Sequence, residues 1–279
     1  MKYLTKSNIS QMTLKLTSIY VYPVKSLGGV AVSPGVVQPG GLLYDRRMML
    51  VDAYGSFITQ REYPELSHLT CVLSESGNMI RIWDKRAPEM NLAISLDAPP
   101  KREIRVKVWS AVMDAGIIGN TCDEFFSSFL HKKCQLVKMT DHSVRYANPF
   151  YAGKGIRMSM ADGYPLMIIG QSSLSDLNNR LAEKVEMKRF RPNLVFEGGI
   201  PYEEDTWKEL MIGDIKFKAV KPCSRCVITT IHPESGIKGT EPLATLSRYR
   251  KKGNKVLFGM NLVALSEGEI RTGEKIKIF

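Results

Sequence analysis

The sequence has few of the residues from which disulfide scaffolds and protein-only metal clusters are built. It contains 5 cysteines and 4 histidines in 279 residues. Dense disulfides are typical of small secreted domains, so a chain of this length with so few cysteines does not depend on them. No run of eighteen apolar residues occurs, which predicts no membrane span. The opening stretch MKYLTKSNISQM lacks the apolar core of a secretory signal. Together these absences predict a cytoplasmic protein.

Acidic residues are also scarce relative to basic ones. The chain has 39 lysines and arginines against 28 aspartates and glutamates, a formal net charge of +11. Such a field attracts anions, including nucleic acids, acidic proteins and phosphorylated cofactors. However, the basic residues are scattered, aromatic residues do not alternate with them as in single-strand binders, and no recognised nucleic-acid motif occurs. The composition therefore favours a soluble enzyme with a basic face over a nucleic-acid-binding protein.

Short apolar runs separated by glycine, proline or aspartate fill most of the chain. MIRIWD (79–84), EIRVKVWS (103–110) and EKIKIF (274–279) are typical of strands, and the β-branched run CVITTIHP (226–233) predicts another. We expect the first strand just after Met12, with residues 1–11 either disordered or the product of an upstream start. A high density of short strands favours barrels or sandwiches. The fold class expected is mainly β, within the α+β class.

Three segments have the periodicity of amphipathic helices. The segment TCDEFFSSFLHK (121–132) begins with Thr121 and Glu124 at the spacing of a capping box. SSLSDLNNRLAEKV (172–185) carries leucines on one helical face, and EPLATLSRYRKK (241–252) is the third candidate. We detect no internal repeat and no low-complexity linker, so these helices are isolated elements among strands.

One Cys-x-x-Cys pair, in KPCSRCVITT (221–230), is the main chemical motif. A structural zinc site needs four ligands, usually as two close pairs, and the other cysteines are single. A thiol-redox site needs the motif to open a helix, whereas a β-branched run follows it. Two readings remain: two half-buried cysteines at a strand start, or one thiolate ligand to a soft metal whose other ligands come from a cofactor. Arg225, inside the motif, would favour a thiolate and could hold an anionic cofactor.

Several blocks of the sequence, in order, resemble one family. KPCSRCVITTIHPESG, followed by EPLATL and FGMNLVAL, resembles the MOSC domain. IYVYPVKSLGGV, YDRRMMLVDAYGSFITQRE and LSHLT resemble the β-barrel domain that precedes MOSC in the branch containing the mitochondrial amidoxime-reducing component and its bacterial relatives. MADGYPLMIIGQSSLSDLN and the stretch beginning FRPNLVFEGG also match that branch. The resemblance implies an N-terminal MOSC-type β-barrel domain over 14–135, packed on a MOSC β-barrel domain with a few helices over 136–279.

The resemblance also implies a site for the molybdenum cofactor. In that family the second cysteine of the motif binds molybdenum, which would make Cys226 the metal ligand and a catalytic residue. Asp162, in a loop that would close over the metal, is the candidate for a catalytic proton relay. The residues that would contact the cofactor are Lys25, Ser26, Arg46, Gly163, Tyr164, Arg191, Asn193, Ser224 and Arg225. Arg61 is a weaker candidate, because a surface salt bridge would explain it equally well.

The function implied is reduction of N-hydroxylated compounds, such as hydroxylated bases and amidoximes. The alternative is a cofactor carrier or sulfur-transfer protein without reductase turnover. The cofactor is an anionic pterin, and cations from several segments suit a cleft between two barrels. The sequence stops before any ferredoxin-like domain and lacks a membrane anchor, so we expect no Fe–S cluster in this chain. Electrons would come from a separate flavodoxin, ferredoxin, cytochrome or reductase, whose acidic surface suits the +11 charge.

Overall fold

The computed structural model describes residues 13–279, and most of its regular structure is strand, which confirms the mainly β expectation. The expected disorder before Met12 lies outside the described residues. The strands are β1 (Lys15–Val21), β2 (Val30–Ala31), β3 (Gly35–Gln38), β4 (Gly41–Leu42), β5 (Met48–Val51), β6 (Leu69–Leu73), β7 (Met79–Asp84), β8 (Ala87–Ser95), β9 (Arg102–Val108), β10 (Ala111–Ile117), β11 (Gln135–Lys138), β12 (Leu166–Gly170), β13 (Leu194–Glu197), β14 (Glu209–Ile212), β15 (Ile215–Arg225), β16 (Lys251–Lys252), β17 (Lys255–Ala264), β18 (Gly268–Ile270) and β19 (Ile276–Ile278). The α-helices are α1 (Asn120–Leu130), α2 (Pro149–Ala152), α3 (Gln171–Asn178) and α4 (Leu243–Tyr249). Short 3₁₀ helices cover Pro64–His68, Met187–Phe190, Glu203–Thr206 and Val227–Thr230. Over the described part of the chain, no helix is long and apolar enough to cross a membrane.

The largest sheet joins the beginning of the chain to its second half. Its strand order is β19-β14-β15-β17-β12-β13-β1-β2, with β16 paired to β17. Strand β13 runs parallel to β12 on one side and antiparallel to β1 on the other, with Ile19 opposite Leu194. The first strand is therefore hydrogen-bonded into a sheet that is otherwise formed, apart from β2, by residues after 165.

Three smaller sheets complete the fold, in the orders β5-β11-β10-β9, β6-β7-β8 and β18-β3-β4. Alternating inward residues of the large sheet form one apolar core, which includes Leu16, Phe196, Leu210, Phe217 and Leu262. A second core joins β5, β6, β7 and α1 and includes Leu50, Leu69, Ile80, Phe126 and Leu136.

All three predicted helices are present, but the predicted N-cap of the first and the predicted end of the second are wrong. The predicted capping box is absent: the N-cap of α1 is Gly119, without a side-chain cap. The carboxylate of Asp123 instead accepts from the backbone N–H of Leu136, at 2.9 Å. Helix α3 ends at Asn178 rather than near 185, because the Asn178 amide bonds both the N–H and the C=O of Val185 and closes a loop there.

The predicted strand over 226–233 is wrong. Val227–Thr230 is a 3₁₀ helix, in which the hydroxyl of Thr229 donates to the C=O of Cys226 at 2.9 Å. The hydroxyl of Thr230 donates to the C=O of Val227 in the same way. Threonine hydroxyls thus offer the backbone an alternative to a sheet ladder, which overrides the β propensity of the run. As a result β15 ends at Arg225, and Cys226 stands at the corner between a strand and a helical turn.

Candidate active site

A cavity of about 380 Å³ lies where the end of β15 meets the turns that precede β5, β12 and β13 and the turn that follows β1. The structure places all eleven site residues expected from the sequence in its lining: Lys25, Ser26, Arg46, Asp162, Gly163, Tyr164, Arg191, Asn193, Ser224, Arg225 and Cys226. Their functional roles remain predictions, but five separate stretches of chain converge on one cavity.

The lining of this cavity is strongly cationic. It contains six basic side chains, namely Lys25, Arg46, Arg61, Arg191, Lys221 and Arg225. Within the described lining, the sole carboxylate is that of Asp162. A concave surface with one sign of charge concentrates the field, so this cavity suits an anionic ligand.

Backbone strain concentrates around the same cavity. Seven non-glycine residues of the described chain have positive φ, and four of them line the cavity: Ser26 (73°), Arg46 (49°), Trp109 (57°) and Arg191 (53°). Side chains with a Cβ disfavour this region, which persists only where the surroundings impose it, and such residues cluster at functional sites. The clustering therefore supports a binding role for the turns that carry these side chains.

Two of the arginines stack on one tyrosine. The guanidinium carbons of Arg46 and Arg191 lie 4.3 and 4.2 Å from the centroid of the Tyr22 ring. The Tyr22 hydroxyl donates to the C=O of Pro192 at 3.0 Å, which fixes the ring between the turns. Burial raises the pKa of Tyr22. Burial also lowers the pKa of Arg191 to about 10, which leaves it charged at neutral pH.

Buried polar partners hold Arg46 in place. Its Nη1 donates to the carboxylate of Asp45 at 2.7 Å and to Oδ1 of Asn193 at 3.1 Å. Asp45 and Asn193 are each only 1% exposed, and Asn193 also donates to the C=O of Tyr20 at 3.1 Å. Groups in the turns before β5 and β13 therefore position the arginine, and the bond from Asn193 to β1 further restricts its freedom to move.

A second polar cluster surrounds Asp162. Lys25 donates to its carboxylate and to the C=O of Met160, Arg61 donates to it at 2.9 Å, and the indole N–H of Trp109 donates at 3.2 Å. Partial desolvation inside the cavity would alone raise the pKa of Asp162, but the charges of Lys25 and Arg61 hold it well below its usual range. Burial lowers the pKa of Lys25 to about 8, against the opposing effect of Asp162. At neutral pH the proton of this cluster therefore resides on Lys25.

The two cysteines of the motif have different surroundings. Cys226 is half-buried in the cavity wall, and Arg61 lies beside its sulfur. Burial would lower the pKa of Arg61, but the nearby carboxylate of Asp162 and the sulfur of Cys226 raise it above its usual value. Our expectation that Arg225 would act on Cys226 is wrong. Its Nη1 lies 3.1 Å from the sulfur of Cys223 and 2.9 Å from the sulfur of Met167, on the inner side of the strand.

The residues present fit an anionic pterin cofactor that brings its own metal ligands. The thiols of Cys223 and Cys226, six cations and two buried asparagines line the cavity. Two of its polar atoms, Nε of Arg225 and the hydroxyl of Tyr164, are buried without a hydrogen-bond partner among residues 13–279. Buried polar atoms are nearly always satisfied, so two unpaired ones on side chains of one lining are an unusual feature that fits a binding site.

Sequence reasoning underestimated Arg61 and missed several lining residues. Those it missed include Trp109, Met167, Lys221, Thr229 and Asn261. Trp109 occupies the turn between β9 and β10, which the pattern assigned to the end of a strand. Lys221 and Asn261 lie within the adjacent strands β15 and β17, opposite one another in register, so only their pairing reveals their common position.

Comparisons with known proteins identify the family of this chain. The MOSC domain family model matches residues 156–277, and the MOSC N-terminal beta barrel domain model matches residues 13–133. The chain is 31% identical to mitochondrial amidoxime-reducing component 1 of Homo sapiens, over 97% of this chain and 85% of that protein. It is 31% identical to mitochondrial amidoxime reducing component 2 of Rattus norvegicus, over 94% and 82% respectively. It is also 33% identical to the molybdenum cofactor sulfurase of Oryza sativa subsp. japonica, over 93% of this chain but 34% of that protein, so it spans about a third of the sulfurase. The resemblance inferred from the sequence is confirmed, and the chain belongs to the family of MOSC-domain proteins with an N-terminal MOSC β-barrel domain.

Proposed function

We propose that this protein is a molybdenum-cofactor-dependent reductase of N-hydroxylated compounds. The observation that carries the proposal is the convergence of a half-buried thiol, Cys226, with six cations on one cavity. Similarity to relatives named amidoxime-reducing components, over most of the length of both chains, supports the same reaction class. The domain boundary between 135 and 136 is part of this proposal, with the cavity between the two parts.

In this proposal Cys226 supplies the thiolate ligand to molybdenum. Ser26, Ser224 and Asn193 offer hydroxyl and amide groups to the pterin, and the arginines offer planar donors to its phosphate. When bound, the cofactor would supply two-electron redox chemistry next to the substrate. Tyr164 and Gly163, next to Asp162 in the turn before β12, would cover the metal side of the cavity.

The reaction consumes two protons as well as two electrons. Reduction of R–NH–OH gives R–NH₂ and water, which breaks the N–O bond. Lys25 lines the cavity and has a pKa lowered to about 8 by burial, so it holds a proton at neutral pH and can release it readily. We therefore assign the acid role to Lys25, with Asp162 as its ionised partner in the ligand-free protein. This modifies the relay inferred from the sequence, which rested on Asp162 alone.

Electrons would reach the site from a separate redox protein. The net charge of +11 favours a carrier with an acidic surface, and association should weaken as salt is added. A cytoplasmic location is also part of the proposal. All five cysteines are free thiols, which suits a reducing compartment.

The two cysteines of the motif provide a matched test. Cys226→Ala should lose molybdenum from the purified protein and abolish reduction of an N-hydroxylated base by a reduced dye. Cys223→Ala should retain metal and most of the activity, because the Cys223 sulfur, although it lines the cavity, contacts Arg225 and packs against the apolar cluster that includes Met167 and Phe190. Full activity in Cys226→Ala would refute the thiolate role.

The second candidate is a cofactor carrier or sulfur-transfer protein. The similarity to a molybdenum cofactor sulfurase favours it. A carrier would contain pterin and molybdenum but show no turnover with any reduced donor. Elemental analysis combined with dye-driven turnover on the same preparation therefore separates the two candidates.

A further inference from the structure

Asp162 has an unusual place in the cavity, because it contributes one negative charge to a lining with six positive ones. Its carboxylate contacts Lys25, Arg61 and Trp109 through three hydrogen bonds. These are donors that an oxyanion would use. The side chain of Asp162 is 49% exposed, so it faces the cavity rather than the protein interior.

The same carboxylate joins two distant parts of the chain. Its three partners lie in the segment matched by the N-terminal barrel model, whereas Asp162 lies in the segment matched by the MOSC model. The backbone that carries Asp162 is held independently: the buried guanidinium of Arg145 donates to the C=O groups of Ser159, Ala161 and Asp162. The carboxylate could therefore turn away from its partners while its backbone stays in place.

We propose that Asp162 is an internal counter-anion, which in the absence of a bound ligand occupies the Lys25 and Arg61 side of the cavity and is displaced when an anionic ligand binds on that side. The proposal depends on the proposed function only in that the cavity receives an anionic ligand. Asp162 thereby lowers the affinity of the cavity for small oxyanions and favours ligands that make enough other contacts to displace it.

The size of the effect follows from electrostatics. A unit charge and a dianion about 6 Å apart, at the dielectric constant of water, change a binding constant by about tenfold. Neutralising Asp162 should therefore strengthen binding of a small dianion by about tenfold at low ionic strength, and less as salt screens the cavity.

The test measures binding of inorganic pyrophosphate by calorimetry to the full chain, produced in a host that cannot synthesise the cofactor. The variants are Asp162→Asn and, as a matched control, Asp205→Asn, which removes the same charge from the Arg250 ion pair outside the cavity lining. We expect about tenfold tighter binding in Asp162→Asn and no change in Asp205→Asn. Equal or weaker binding in Asp162→Asn, or tightening in both variants, would overturn the proposal.

A second measurement on the wild-type fold covers the case in which Asp162→Asn does not fold. Displacement of Asp162 removes the acceptor of the Trp109 indole, so pyrophosphate should change tryptophan fluorescence, and Trp109→Phe should lose that change. Saturating binding of pyrophosphate without a Trp109-dependent signal would show that Asp162 is not displaced, and absence of binding to both the wild type and Asp162→Asn would overturn the proposal. Neither failure affects the cysteine test, which reads molybdenum content and dye-driven turnover.

Discussion

The buried positive charge of Lys25 should reduce the stability of the protein at neutral pH. The protein should regain this stability in alkali, where Lys25 loses its proton. Its side chain is 6% exposed, and burial lowers its pKa from an ordinary 10.5 to about 8 in spite of the ion pair with Asp162. The unfolded chain therefore binds more protons than the folded chain between about pH 8 and pH 10.5, so stability rises with pH across this window. The difference in pKa of about 2.5 corresponds to about 3 kcal/mol.

Lys25→Met tests this magnitude. The substitution keeps the chain length and removes the charge, while Asp162 keeps Arg61 and Trp109 as donors. Denaturant unfolding of both proteins from pH 7 to pH 10.5 should show the wild type gaining about 3 kcal/mol relative to the variant. Lys277→Met, at an exposed position of β19, controls for the general loss of one positive charge.

A pH-independent difference between wild type and Lys25→Met would refute the reasoning. A difference of opposite slope would show that the ion pair outweighs burial, so that Lys25 is held charged and cannot release a proton readily. That outcome would also remove the physical basis for the acid role of Lys25.

Substitutions at three further positions test the packing in and near the cavity. Tyr22→Leu removes the ring on which Arg46 stacks, so it should weaken anion binding and lower the free energy of unfolding. Tyr22→Phe loses only the hydroxyl bond to Pro192, worth about 1 kcal/mol, and should have a smaller effect. Calorimetry measures the binding of both variants, and denaturant unfolding measures their stability. Asn193→Ala should lower the free energy of unfolding by about 2 kcal/mol, because it leaves buried groups unsatisfied. Gly259→Ala should cost about 2–3 kcal/mol in a denaturant melt, since φ is +81° and a Cβ would lie 2.7 Å from Cγ1 of Ile169.

Much of the site could be predicted from the sequence because family resemblance carries positional information that residue patterns lack. Pattern alone left the Cys-x-x-Cys motif undecided, and it placed a strand where the threonines after Cys226 form a 3₁₀ helix. Arg61 illustrates the limit: its sequence neighbourhood suggests a surface cation, and its place beside Cys226 and Asp162 depends on tertiary folding. Periodicity identified helices and strands well, but it could not indicate which turns meet.

The pairing of β1 with β13 has a consequence for biosynthesis. Residues 15–21 leave the ribosome early, yet their hydrogen-bonding partner, residues 194–197, is made well over a hundred residues later. Until then the first strand has no native edge to join, and a detached second half would present β13 as an open edge that other chains could extend. Expression of the two family-matched segments as separate chains should therefore yield fragments that aggregate rather than two domains that fold independently.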